Sequence, residues 1–209
     1  MKTIKNYNKT PIEFFDVWAK NGKDEGMEKG HNQAVEFMIK KIREFKLSGK
    51  RGIDIGCGNG WTVRKMKKML QYQNIIGIDG SKKMIKKAQK MDPTGVYKCQ
   101  ELTKHNPKEK YDFIHSMEVL YYLENPEVFI KNVYKNWQKK DGIFILGIDH
   151  YNENTASINW PEECGVYMNT KSKEEWIKII QNAGYKDINS KQVFKQKNWA
   201  GTLVIIGKK

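Results

Sequence analysis

The stretch Gly52-Ile53-Asp54-Ile55-Gly56-Cys57-Gly58-Asn59-Gly60 constrains this chain more than any other part of it. Its apolar front, 51–56, reads as a buried strand. The run behind it, 61–71, carries Val63, Met66, Met69 and Leu70 at helical spacing. Strand, glycine turn and helix together turn backbone N–H groups and a helix N-terminus toward a ligand. Glycine is needed where a side chain would block the approach or forbid the turn.

The spacing narrows the ligand. A dinucleotide fingerprint requires a third glycine where this chain has Trp61, and the glycines here fall at 56, 58 and 60. Asp54 stands two residues before the first of them, and a carboxylate there suits an ammonium group better than a pyrophosphate. A second strand, 74–79, ends in Asp79, about twenty residues beyond the turn, where an acid can take both hydroxyls of a ribose. A ribose, an ammonium group and no pyrophosphate describe S-adenosylmethionine.

The run from Arg51 to Trp176 resembles the class I S-adenosylmethionine-dependent methyltransferases, in particular their small single-domain type 11 members. Four segments carry the resemblance in the family's order: 54–60; Ile78-Asp79-Gly80-Ser81-Lys82-Lys83-Met84; Tyr111-Asp112-Phe113-Ile114-His115-Ser116; and Lys173-Glu174-Glu175-Trp176 followed by Ala183-Gly184-Tyr185. The resemblance implies an α/β, Rossmann-like fold: a seven-stranded, mostly parallel sheet with helices on both faces and a C-terminal antiparallel hairpin. It implies cofactor contacts at Asp54, Gly56, Cys57, Gly58, Asp79, Gly80, Ser81, Gln100, Glu101, Leu102, Ser116 and Met117. Cys99-Gln100 stands where the family usually has an acid after the third strand, which loosens the adenine assignment. The implied activity is methyl transfer by in-line displacement, in which the protein positions two reactants and keeps water away.

The remaining segments fit one domain of 209 residues. Residues 1–10 are polar and read as loose. Helices are expected over 12–19 and 32–45, separated by a polar loop at 21–26, so that 1–46 form a helical cap on a core at 47–209. In the core, helix 82–91, strand 95–99, a charged loop 103–110, strand 111–116 and helix 126–137 follow one another. Strand 142–148 is apolar almost throughout, which places it centrally with both faces covered. Helix 172–183 has Ser172 as N-cap and Glu175 at the capping-box position, and Gly184 ends it. Strands 186–194 and 202–207 form the closing hairpin.

A base is required only if the acceptor arrives protonated. Candidates on the correct edge of the sheet are Asp149, His150 and Tyr151, with His31 at the expected start of the second helix; His105 and His115 read as structural. The acceptor pocket is expected from Tyr121, Tyr122, the N-terminal helices and the segment 151–170, with Trp160 and Tyr167. The long connection 151–170, rich in aromatics and carrying Glu162 and Glu163, reads as a lid suited to an amine-bearing small molecule or as a loop packed on the core.

The net charge of +14 raises nucleic acid as a partner. Of 38 basic residues, however, only Arg43, Arg51 and Arg64 are arginine, and the lysines are spread over every expected helix. A small-molecule acceptor is the favoured reading. An RNA methyltransferase of the same fold and a non-catalytic S-adenosylmethionine-binding module are the alternatives. No apolar run approaches the roughly 20 residues of a membrane span, and no apolar centre of a signal peptide is visible. Cys57, Cys99 and Cys164 have no metal-ligand spacing, and the pattern nominates no metal site. A cytoplasmic monomer or homodimer is expected.

Overall fold

A computed structural model describes Tyr7 and residues 9–209; the expectation for residues 1–6 and 8 lies outside the described residues. Two helices come first, α1 (Pro11–Lys20) and α2 (Glu25–Glu44). Thr10 caps α1 in a complete capping box with Glu13, and Pro11 opens the helix, where its missing N–H costs nothing. α2 begins seven residues before the expected 32, despite Gly26 and Gly30, which disfavour helix. Tertiary contacts override that local preference. The Asp24 side chain accepts a hydrogen bond from Asn59 Nδ2 at 2.9 Å and an ion pair from Lys87 at 2.7 Å, which pins the start of α2 to the glycine turn.

The core alternates through β1 (Gly52–Ile55), α3 (Trp61–Leu70), β2 (Ile75–Asp79), α4 (Lys82–Met91), β3 (Val96–Cys99), β4 (Tyr111–Met117), α5 (Pro126–Asn132), β5 (Gln138–Ile148), α6 (Trp160–Cys164), α7 (Lys173–Ala183), β6 (Lys186–Val193) and β7 (Thr202–Lys208). This is the expected order, except that β5 starts at Gln138 rather than 142 and a short helix, α6, lies within the connection 151–170. The expected helix 126–137 closes in a π-helical turn, Val133–Trp137, which puts Trp137 wholly inside the core beside Phe129. Ser172 and Glu175 form their capping box, and Gly184 ends α7 at φ +114°.

Seven strands form one sheet in the order β3-β2-β1-β4-β5-β7-β6. β1 through β5 run parallel; β7 is antiparallel to both of its neighbours. Alternation along the strands divides the core. Ile53, Ile55, Ile114, Phe144 and Leu146 pack with α5 and α7, whereas Ile143, Ile145, Val204 and Ile206 pack with α2 and α3. Asp54 and His115 share a register position and point to this second face. The chain order reverses between β1 and β4, so the crevice for a ligand opens above the carboxyl ends of those two strands.

Candidate functional site

A cavity of about 930 Å³ lies at that crevice. Its floor is Gly56 and Gly58 from the turn after β1, Asp79 and Gly80 at the end of β2, Glu101 and Leu102 after β3, and Met117 and Glu118 at the end of β4. Its roof is Thr10, Ile12 and Phe15 around α1 with Met27 of α2, and Tyr122 and Phe129 close one side.

The turn takes its shape from the glycines. Gly56 and Gly58 stand at φ +69° and +51°, a left-handed conformation that costs other residues roughly 1–2 kcal/mol. The N–H groups of Gly56 and Cys57 both donate to the Ile78 carbonyl, at 2.8 and 3.0 Å, tying the turn to β2. Asp79 completes the tie. Its Oδ2 accepts the Gly58 N–H at 2.9 Å and its Oδ1 the Ser81 N–H at 2.7 Å. Burial nevertheless pushes the Asp79 carboxyl up to about 6, the two N–H groups only partly offsetting it.

The roof is fastened by Asp16 of α1, which accepts the Ser81 hydroxyl and, at 3.1 Å, the Lys83 N–H. Ser81 in turn accepts the Met84 N–H at 3.1 Å as the N-cap of α4. A Cβ on Gly80 would fall 2.5 Å from Ile12 Cδ1, so the roof helix rests directly on this glycine. Phe15 meets Tyr122 edge-on, with centroids 5.5 Å apart.

Of the residues expected to contact a cofactor, the structure brings Gly56, Gly58, Asp79, Gly80, Glu101, Leu102 and Met117 to the cavity wall. Five others lie elsewhere. Asp54 is buried behind the turn with its Oδ1 2.7 Å from His115 Nδ1, and burial, working against that imidazole, raises its carboxyl. Cys57 and Ser116 are buried, Ser81 is spent as a cap, and the Gln100 side chain is tied to His105 at 2.9 Å.

The expected catalytic and acceptor residues divide in the same way. His150 is fully buried with both ring nitrogens engaged: Nδ1 lies 2.9 Å from the Ser157 carbonyl and Nε2 2.8 Å from Thr170 Oγ1. Burial depresses its pKa, against the opposing effect of the Ser157 carbonyl. Tyr151 is equally buried and donates to the Gly201 carbonyl at 2.8 Å. Neither is on the cavity wall, so a role as base does not fit either residue.

Asp149 and His31 do come together, with His31 Nδ1 3.3 Å from Asp149 Oδ2; His31 sits well inside α2 rather than at its start. Tyr122 lines the cavity, and Tyr121 is buried beneath it with its hydroxyl donating to Glu118 at 2.8 Å. Trp160 stacks on His150, and Tyr167 lies outside the wall.

The segment 151–170 contributes no residue to the cavity wall among the described residues; of the expected pocket elements, the N-terminal helices supply the roof. Asparagines hold the segment to the core. Asn154 Nδ2 donates to the Asp149 carbonyl at 2.7 Å while its Oδ1 accepts the Ala200 N–H at 3.1 Å, and the Asn169 N–H donates to the Tyr121 carbonyl at 2.6 Å.

Glu118 is a wall residue that was not singled out. It stands at φ +59°, its carboxylate accepts the Tyr121 hydroxyl and the Asp149 N–H, and burial followed by the neighbouring Asp149 pushes its pKa well above the usual carboxylate range. The available signal was an acid just after an apolar strand, the same signal that picked out Asp79.

Known proteins agree with this architecture. The chain is 24% identical over 219 residues to the ubiquinone biosynthesis O-methyltransferase of Pelagibacter ubique, an alignment covering 95% of this chain and 89% of that one. It is 26% identical over 165 residues to the malonyl-[acyl-carrier protein] O-methyltransferase of Halalkalibacterium halodurans. The aligned stretches span 60% of that relative and 48% of another from Invertebrate iridescent virus 6. Among solved structures, a SAM-dependent methyltransferase of Thermotoga maritima superposes with a TM-score of 0.71 at 20% identity, covering 94% of this chain and 99% of that one. The methyltransferase solved with the Trm112 activator of Haloferax volcanii gives 0.77 at 22% identity, over 93% and 96% of the two chains. A family model described as a methyltransferase domain matches residues 29–190, and the chain belongs to that family.

Proposed function

We propose that this chain is an S-adenosylmethionine-dependent methyltransferase acting on a small-molecule acceptor. One observation carries the reading: a turn of two left-handed glycines, Gly56 and Gly58, faces a roofed cavity beside the half-buried carboxylate of Asp79. The donor set fits the cofactor. Bare backbone at Gly58, where an added Cβ would meet only Met84 Sδ at 3.9 Å, leaves room for the methionine portion. Asp79 has lone pairs left for ribose hydroxyls, and Leu102 offers an apolar surface to the adenine. When bound, S-adenosylmethionine supplies a methyl group already activated by the sulfonium.

The chain's own residues then have three tasks. Asp79 and the turn fix the nucleoside end, Ile12, Phe15 and Tyr122 exclude water, and Met117 and Glu118 border the space left for the acceptor. A small acceptor is favoured because the roof helix closes over the cavity and is held there by Asp16. A volume of about 930 Å³ falls at the upper end of small-ligand pockets, which run to about 1,000 Å³. The relative named for ubiquinone biosynthesis points in the same direction.

The test is incubation with methyl-labelled cofactor and either a metabolite extract or total RNA. Label in a small product supports the proposal. Label confined to RNA replaces the acceptor class, and no binding of S-adenosylhomocysteine by calorimetry removes the proposal entirely.

A further inference from the structure

We propose that His31, Glu118 and Asp149 form a binding site for one divalent transition-metal ion at the edge of the cavity. Three elements distant in sequence supply the donors: α2, the end of β4 and the end of β5. An imidazole nitrogen and two carboxylate oxygens all lie within 4.8 Å of one another. Around an ion bound at about 2.0–2.2 Å, adjacent donors sit about 3 Å apart and opposed ones slightly over 4 Å. Rotamer adjustments of an ångström or so close the set.

Two features separate this group from an ordinary acidic cluster. Asp149 is 3% exposed, and its Oδ1 has no hydrogen-bond partner among the described residues, although a buried carboxylate oxygen is costly to leave unsatisfied. Glu118 holds a left-handed backbone conformation that a glutamate rarely adopts, and strain of that kind accumulates where a side chain must be aimed. That aim is secured from both sides, because the Tyr121 hydroxyl and the Asp149 N–H each hold one oxygen of the carboxylate. Hydrogen bonds to the far side of a ligand are how proteins orient metal-binding groups.

Charge argues the same way. The two acids can both ionise in this site only with a counter-charge, and among the described residues the His31 imidazole is the one basic side chain within ion-pair distance of Asp149, while Glu118 has none. A divalent cation between the two acids supplies that counter-charge and uses the orphaned oxygen.

The donor set selects the ion. One imidazole and two carboxylates suit Mn²⁺, Fe²⁺ or Zn²⁺, whereas Mg²⁺ and Ca²⁺ prefer oxygen throughout. Three protein donors leave coordination positions open, as in sites that receive a ligand rather than brace a fold. Because Glu118 is on the cavity wall, those positions are reachable from inside, and an acceptor bearing a hydroxyl or carboxylate is the class that fits them.

The experiment is calorimetric titration of chelator-stripped protein with MnCl₂ and, separately, ZnCl₂, without cofactor. One saturable equivalent is expected, with a rise in melting temperature. Asp149→Asn, Glu118→Gln and His31→Ala are each expected to weaken binding at least about tenfold. His31 is only half-buried, so His31→Ala keeps the test usable if an acidic variant fails to fold. Absence of saturable binding up to about 1 mM, a Kd corresponding to only about 4 kcal/mol, overturns the proposal. Equal affinity in wild type and His31→Ala does so as well. S-adenosylhomocysteine binding is measured in parallel: if it is intact while metal binding is absent, the metal site alone fails, and the reverse result condemns only the cofactor reading.

Discussion

Asp79 gives the sharpest test of the cofactor site, because its titration reports on both stability and binding. In the unliganded fold its pKa stands at about 6, against an ordinary value of 3.8. The ionised form is therefore the disfavoured one in the folded protein. Stability linked to this group is highest at low pH and is lost as pH rises from 3.8 to about 6, remaining level above that. At about 1.36 kcal/mol per pH unit the loss reaches about 3 kcal/mol, an upper bound because the side chain is half-buried and cavity water screens it.

Binding carries the opposite sign. Only an ionised Asp79 can accept two ribose hydroxyls while also accepting the Gly58 and Ser81 N–H groups. The ionised share is about nine-tenths at pH 7 and about a tenth at pH 5, so affinity for S-adenosylhomocysteine should fall about tenfold between them. Asp79→Asn should bind weakly at both values, because lost charge-assisted hydrogen bonds cost about 1.5–3 kcal/mol each, and its affinity should not change with pH. Calorimetry from about pH 5 to 8 on both proteins makes the comparison. A flat profile in the wild type, or the same slope in Asp79→Asn, refutes the reasoning.

Four further substitutions separate structure from binding. Gly56→Ala places a Cβ 2.2 Å from Val119 Cγ2 and should unfold far more easily in urea. Gly58→Ala meets only Met84 Sδ at 3.9 Å and should lose about 1–2 kcal/mol of stability but a larger share of its cofactor affinity. Asp54→Asn strips the buried imidazole of His115 of its carboxylate partner and should cost about 3–5 kcal/mol in chemical denaturation, while the folded fraction still binds S-adenosylhomocysteine. His150→Ala should lower the melting temperature through lost contacts with Ser157 and Thr170 and leave calorimetric cofactor affinity unchanged. A large affinity loss with unchanged stability would return His150 to the site.

The sheet was readable because its signals are local. β1, β2, β4 and β5 are each closed by a glycine or an acid and mark themselves as strands, and α3 and α4 show their own periods; β3 is short, carries Lys98 and runs into Gln100 instead. The order β3-β2-β1-β4-β5-β7-β6 follows from the family resemblance rather than from any one strand. Where the reading stopped short, distant residues had decided the outcome. Gly26 and Gly30 argue for a loop by propensity, and only the grip of Asn59 and Lys87 on Asp24 extends α2 through them. The π-helical turn at Val133–Trp137 has no glycine or proline to mark it; it accompanies the placement of Trp137 in the core.

The site divides along the same line. Glycines that must adopt φ > 0, and an acid at a strand's end, are constrained by their immediate neighbours, and these residues reached the cavity wall as expected. Of the residues chosen for their chemistry alone, Tyr122 did and His150, Tyr151, Trp160 and Tyr167 did not, since a histidine or an aromatic near the correct edge serves equally well as a packing strut. Ser81 illustrates the ambiguity: the same hydroxyl that suits a ribose contact is the natural cap for α4, and Met84 and Asp16 hold it in that role. Composition left the segment 151–170 open between a lid and a loop packed on the core, and Asn154 and Asn169 tie its backbone to the sheet edge. Glu118, His31 and Asp149 share no motif, and their meeting depends on the backbone twist at the end of β4 and on the rotation of α2 about its axis. Sequence spacing encodes neither quantity, so an assembly built across three elements is visible only once the fold is in hand.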